Sequence, residues 1–152
     1  MRAEDTIQIE CMKIFNTNIK FKENNRFFIP LAGKTFDCKV LNPNIWGTHI
    51  ANEFSTDLSR AQWAKKEALG LNKGEPDLVF HYVDNGQALF FYIEMKTPES
   101  YKKSHNGLSQ NEQQFHNIMH IYNVPTFICA TREQFLRALE SMKIIEIKEI
   151  AS

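Results

Sequence analysis

The chain of 152 residues contains no run of about 18 apolar residues, so no transmembrane helix is expected. Its opening stretch, MRAEDTIQIE, lacks the apolar core of a signal peptide, which points to a cytoplasmic, intracellular protein. Cysteine is scarce. Cys11, Cys38 and Cys129 are odd in number, widely spaced and free of any C-x-x-C pair, which fits reduced thiols and gives no zinc site. A charge of one sign is also missing: 18 basic and 18 acidic residues leave a formal net charge of zero, so a nucleic-acid partner would need a local basic footprint. No repeat, low-complexity tract or interdomain linker is visible. What the chain does have is 43% apolar residues, twelve of its residues being Phe, enough for one folded domain with a single core.

The most informative stretch is Gly74 to Lys96, GEPDLVFHYVDNGQALFFYIEMK. Two apolar runs, Asp77 to Val83 and Gln87 to Lys96, flank Asp84-Asn85-Gly86, and Asn-Gly is the strongest short hairpin signal. With Asn85 and Gly86 as the loop, Asp84 faces Gln87, and counting back places Asp77 directly opposite Glu94. Side chains so placed lie about 4.5–5.5 Å apart at Cβ on one face of a sheet. Lys96, two residues past Glu94, points the same way. The remaining side chains are mostly apolar on both faces, the pattern of buried central strands. Two carboxylates side by side at such a strand end repel each other unless one is protonated, Lys96 neutralises them, or a cation lies between them. Their oxygens are hard ligands suited to Mg²⁺ or Mn²⁺. The competing explanations are a fortuitous salt-bridged strand end and a one-residue slip of register.

Around this hairpin the expected order is helix, strands, helix, hairpin, helix, strand, helix, strand. Residues 4–18 form an amphipathic helix with the stripe Ile7, Cys11, Ile14 and Phe15. Glu4 continues that stripe at its head, either as a first-turn acid favoured by the helix dipole or as a group pointed into a site. Residues 20–25 are a turn, Arg26 to Leu31 is a strand with Pro30 marking an edge or end, and Ala32 to Pro43 is a hairpin or loop. Thr48 to Phe54 reads as a strand, with Asn52 and Glu53 near its end. Ser59 opens a helix that carries Arg60, Lys65 and Lys66 and stops at Gly70. Glu99 to Gly107 is a polar loop with Lys102, Lys103 and His105. Ser109 opens a helix with Glu112 at the capping-box position and a buried stripe of Phe115, Ile118, Met119 and Tyr122. His116 and His120, four apart but off that stripe, read as surface histidines. Val124 to Ala130 is a strand, Thr131 caps a helix with Phe135, Leu136, Ala138 and Leu139 inward, and Lys143 to Ile150 is an edge strand. The fold class is therefore α/β, with a mixed central β-sheet flanked by helices in one domain.

Assembled, G-x-x-K-G-E-P-D-L-V-F, F-Y-I-E-M-K-T-P and L-S-Q-N-E-Q-Q-F-H, followed by the strand VPTFICA, resemble the VRR-NUC family of the PD-(D/E)XK nuclease superfamily. The match runs from Gly70 to about Gln134. The resemblance implies a restriction-endonuclease-like fold and a Mg²⁺- or Mn²⁺-dependent DNA endonuclease. In it Asp77, Glu94 and the backbone carbonyl of Met95 would hold the metal, with Glu4 adding a ligand and Glu53 a weaker candidate. Asp77, Glu94, Lys96 and Gln113 would form the catalytic set. By position, and not from the resemblance, Lys102, Lys103 and Lys66 are candidates to contact DNA, the alternative being plain solvated surface. The family places a glutamine three residues after the helix-opening serine; here Glu112 stands there and Gln113 follows, so both stay open. Residues 19–50 are longer than the family's minimum, a local insertion. Single-domain members are associated with branched DNA, including four-way junctions, and with homodimers. The alternatives are a nuclease on linear duplex DNA, a non-catalytic DNA-binding subunit of the same fold, and cleavage of RNA.

Overall fold

The computed structural model describes residues 2–50, 61–62, 64–65 and 74–150. The stripe at the start of the chain forms helix α1, Ala3–Asn18. Cys11 and Phe15 are fully buried, and Ile7 and Ile14 pack against the core. Phe15 meets Phe80 edge to face with ring centroids 5.0 Å apart, the arrangement in which a positive ring edge approaches a negative ring face.

Two hairpins are built the same way. Strands β1 (Arg26–Leu31) and β2 (Lys34–Val40) are joined by Ala32-Gly33. Strands β4 (Leu78–Asp84) and β5 (Gln87–Met95) are joined by Asn85-Gly86. The four loop residues have φ of 50°, 78°, 50° and 76° in chain order, which matches a two-residue turn to the right-handed twist of its strands. Ala32 to Val40, open between hairpin and loop from sequence, is thus the turn and returning arm of a hairpin. Pro30 lies on an edge strand, where a missing N–H is tolerated.

Among the described residues, the expected single central sheet is two sheets. A four-stranded mixed sheet runs in the order β3-β4-β5-β6, with β3 at Ile45–His49 and β6 at Thr126–Cys129. A three-stranded antiparallel sheet runs β1-β2-β7, with β7 at Ile145–Ile150. β2 has β1 on one edge and β7 on the other, so it has no free edge with which to join the larger sheet. The stretch 19–50 therefore supplies two strands of the second sheet as well as β3. β3 starts and ends earlier than the Thr48–Phe54 strand expected, because its partner is Leu78–Tyr82 of β4. Asn52, Glu53, Arg60 and Lys66, with most of the helix expected from Ser59 to Gly70, lie outside the described residues.

Among the described residues, only β5 and β6 pair in parallel. The chain between them forms the single turn α2 (Pro98–Tyr101), a 3₁₀ turn (Ser104–Gly107) and helix α3 (Gln110–Ile121). The last helix, α4 (Arg132–Ser141), begins at Thr131, whose hydroxyl accepts the Gln134 N–H at 3.1 Å. Phe135, Leu136, Ala138 and Leu139 are buried, as their spacing implies. Both sheets contribute to one apolar cluster. Cys11, Cys38 and Cys129 are buried free thiols, and burial pushes their pKa values to about 12, 11 and 12, so none is a thiolate at neutral pH. No helix among the described residues is long and apolar enough to cross a membrane.

Two burial patterns differ from expectation. No residue of α3 is fully buried; Phe115 and Met119 are half-buried, while Ile118 and Tyr122 are exposed. The adjacent β6 has four residues, about 13 Å of strand, too short to cover a helix of about 18 Å. β5 is buried only from Phe91 onward. Its exposed half carries Phe90, which continues a row with His81 and Trp46; Trp46 stacks on His81 at 5.7 Å and His81 meets Phe90 at 6.2 Å.

Gly47 faces Phe80 across the β3–β4 ladder, and a Cβ there would lie 2.6 Å from Phe80 Cε1. Gly47→Ala is expected to cost about 1–3 kcal/mol by overpacking, read from the midpoint of urea unfolding. An unchanged midpoint would show that the ring has room to move.

Candidate active site

The Asn-Gly turn sets the register of β4 and β5, and their ladder runs from Asp84↔Gln87 back to Leu78↔Ile93. Asp77 immediately precedes Leu78 and Glu94 immediately follows Ile93, one step past the last rung. Asp77 Oδ2 accepts the Met95 N–H at 2.7 Å, which ties the acid to the end of β5. Lys96 Nζ stands 3.7 Å from Glu94 Oε1. Asp77, Glu94 and Lys96 are therefore brought together at one strand end. The preceding turn is held against α3 by Gly74, with φ +93° and a backbone so close to Asn111 that a Cβ would lie 2.4 Å from its carbonyl oxygen. Any side chain at position 74 would push the Pro76-Asp77 turn away from that helix.

The first turn of α3 supplies the fourth member. Ser109 and Glu112 form a capping box: the Glu112 N–H donates to Ser109 Oγ at 3.2 Å and the Ser109 N–H to Glu112 Oε1 at 2.7 Å. The same Glu112 carboxylate accepts Lys96 Nζ at 3.0 Å and 3.3 Å. Gln113, expected in the catalytic set, instead donates its amide to the Leu108 carbonyl at 3.1 Å. One helical residue turns the side chain by about 100°, so only one of the neighbours Glu112 and Gln113 faces Lys96. The Ser109-x-x-Glu112 spacing was legible as a cap, but nothing local tied Glu112 to a lysine sixteen residues earlier.

The other expected site residues are less close. Glu4 is half-buried, pairs with Arg2 Nη1 at 3.3 Å, and acts on Asp77 and Lys96 through its charge. Lys102 and Lys103 lie exposed, between α2 and the 3₁₀ turn, in the segment that leaves β5 beside Lys96. Lys66 lies outside the described residues. His116, expected on the surface, is half-buried one turn after Glu112, with Nε2 enclosed and no hydrogen-bond partner, and burial pushes its pKa down. His120 is exposed.

Burial dominates the electrostatics. It raises Asp77 to about 6, with the charges of Glu4 and Glu112 adding to the effect and the Met95 N–H and Lys96 opposing it. Glu94 is pushed up further by burial, by a hydrogen bond shared with Glu112 and by the Asp77 charge. For Glu112, burial acts upward too, but the bonds to Glu94, Ser109 and Lys96 outweigh it and bring the carboxyl down to about 2. Burial and the bond to Glu112 therefore favour the neutral form of Glu94, while an ammonium and a helix N–H favour the ionised form of Glu112. Burial works against the Lys96 ammonium, yet Glu112 and Glu94 raise its pKa, so it stays charged.

Glu94 Oε2 is enclosed and has no hydrogen-bond partner. An orphaned carboxylate oxygen beside a second carboxylate is a position that a cation satisfies. Among the described residues, no three Asp, Glu, His or Cys side chains gather as a metal-binding group. Two carboxylates fit the habit of Mg²⁺, which keeps several waters and takes further ligands from substrate phosphate, better than the all-protein cage of a structural metal. Comparison with family models, with curated proteins and with solved structures returns no match. The chemistry of this site rests on its own geometry.

Proposed function

We propose that this chain is a metal-dependent deoxyribonuclease that hydrolyses phosphodiester bonds in branched or structured DNA. The observation that carries the reading is the gathering of Asp77, Glu94 and Lys96 at the end of a buried hairpin, with Asp77 bonded to the Met95 N–H and one Glu94 oxygen unpartnered. The resemblance of the same residues to a nuclease motif supplies the substrate class.

In this reading Asp77, Glu94 and the Met95 carbonyl would hold Mg²⁺ or Mn²⁺, with Glu4 joining directly or through water. Such an ion would supply an acidified water and charge on the scissile phosphate. The Met95 N–H keeps Asp77 aimed at the strand end. Lys96, an ammonium held by Glu112, offers positive charge to the phosphorane-like transition state and is not a free base. Lys102 and Lys103 contact the phosphate backbone, which positions DNA without reading its sequence. Two copies related by a two-fold axis would act on equivalent strands.

One observation favours a second reading, a DNA-binding subunit that does not cut: Glu112 stands where the motif carries glutamine, and its carboxylate already engages the Lys96 amine. End-labelled four-way junction, flap, nicked and plain duplex DNA, each incubated with Mg²⁺, Mn²⁺ or EDTA, separates the two. Metal-dependent cutting with a preference for the junction is expected. Binding without cutting under every condition would sink the nuclease and leave the subunit; equal cutting of plain duplex would replace the junction with linear DNA.

A further inference from the structure

We infer that Glu112 positions Lys96 at the strand end, a task separate from its work as a helix cap. The inference deepens the nuclease reading, on which it depends only for what Lys96 then does. The Lys96 side chain is 12% exposed and Glu112 is 16% exposed, so the pair is largely shielded from water. Both Glu112 oxygens lie within 3.3 Å of Lys96 Nζ, whereas Glu94, the acid two residues before the lysine, is 3.7 Å away. The Glu112 carboxylate is itself immobilised by the Ser109 N–H at 2.7 Å. A lysine has four rotatable side-chain bonds and finds its own position only if something rigid holds the amine. The rigid object here is the first turn of α3, pinned to the Pro76-Asp77 turn by the close approach of Gly74 to Asn111. Asp77, Lys96 and the helix start are thereby referenced to one another. A glutamine at position 112 would still cap the helix but would hold the ammonium with a neutral oxygen.

Two substitutions separate the roles. Ser109→Ala removes the hydroxyl cap but keeps the backbone N–H that holds Glu112; Glu112→Gln keeps a side-chain acceptor for that N–H but removes the charge. Four measurements are made on the full chain: kcat and KM on junction DNA, thermal unfolding, Mn²⁺ affinity by calorimetry, and acylation of the Lys96 amine by an N-hydroxysuccinimide ester, read by peptide mass spectrometry. Glu112→Gln should lower kcat about tenfold or more with KM within about twofold, as displaced catalytic groups do. It should also raise Lys96 acylation several-fold and leave the Mn²⁺ affinity no weaker, because Glu112 acts on Asp77 and Glu94 only by favouring their protonated forms. Ser109→Ala should lower the melting temperature while kcat and Lys96 acylation stay near wild type. Equal kcat and equal acylation in Glu112→Gln and wild type would overturn the inference, as would a loss of Mn²⁺ affinity that makes Glu112 a metal ligand. If the wild-type chain cuts no DNA, the nuclease reading fails by itself, and the acylation comparison still decides whether Glu112 holds Lys96.

Discussion

Asp77→Asn is expected to abolish metal-dependent cleavage and, at the same pH, to make the folded chain more stable. The first effect follows from removing one of the two charged ligands proposed for the metal; a loss of at least about a thousandfold is expected, in keeping with single-residue knockouts of catalytic machinery. The second follows from linkage. Burial raises the folded-state pKa of Asp77 to about 6 from its ordinary value of 3.8. Between those values the folded chain keeps a proton that the unfolded chain has released. Stability therefore falls as pH rises through that window, and the whole penalty is present above it. Asparagine carries no charge to desolvate, and its Oδ1 can still accept the Met95 N–H. The gain at pH 7.5 is on the order of 1–3 kcal/mol, vanishing below pH 4, and is read from urea unfolding at both pH values. Glu94→Gln should move the same way. An acid that merely serves the fold behaves oppositely, losing stability when it is neutralised. A destabilised Asp77→Asn chain that still cuts DNA would defeat both halves of the expectation.

Phe80→Ala is expected to produce the largest loss of stability of any single truncation. Phe80 is fully buried. Its ring stacks on Phe91 at 5.1 Å, meets Phe15 at 5.0 Å and lies 6.0 Å from Phe135, so it joins α1, β4, β5 and α4. Losing the ring removes its transfer free energy and leaves a void between elements from distant parts of the chain, which cannot all move in together. A cost of about 3–5 kcal/mol is expected, a fifth or more of the roughly 5–15 kcal/mol typical of a domain. Guanidinium unfolding of the variant checks it. The close approach at Gly47 adds a second readout, because without the ring a methyl at position 47 has space. The penalty of Gly47→Ala should shrink towards zero in the Phe80→Ala background. A loss below about 1 kcal/mol for Phe80→Ala would mean that the four elements are held by other contacts.

Much of the candidate site was legible because its geometry is local. Asn85-Gly86 selects a two-residue turn, the turn dictates the register, and the register alone puts Asp77 opposite Glu94 with Lys96 on the same side. The stripe of α1 and the caps at Ser109 and Thr131 are local in the same sense, each depending on residues within two turns. The α3 stripe was read less well: Ile118 and Tyr122 have the spacing of buried residues, but burial also needs a surface long enough to lie beneath them, and β6 ends too soon.

By itself the sequence determined which residues turn, which pair across a hairpin and which cap a helix, because each choice is settled by backbone sterics and hydrogen bonds among near neighbours. Tertiary structure alone decided that the strands divide between two sheets, that one half of β5 stays open, and that Glu112 rather than Gln113 meets Lys96. Those outcomes depend on where segments far apart in the chain come to rest against one another, and a side chain's spacing says which way it points but not what will be waiting there.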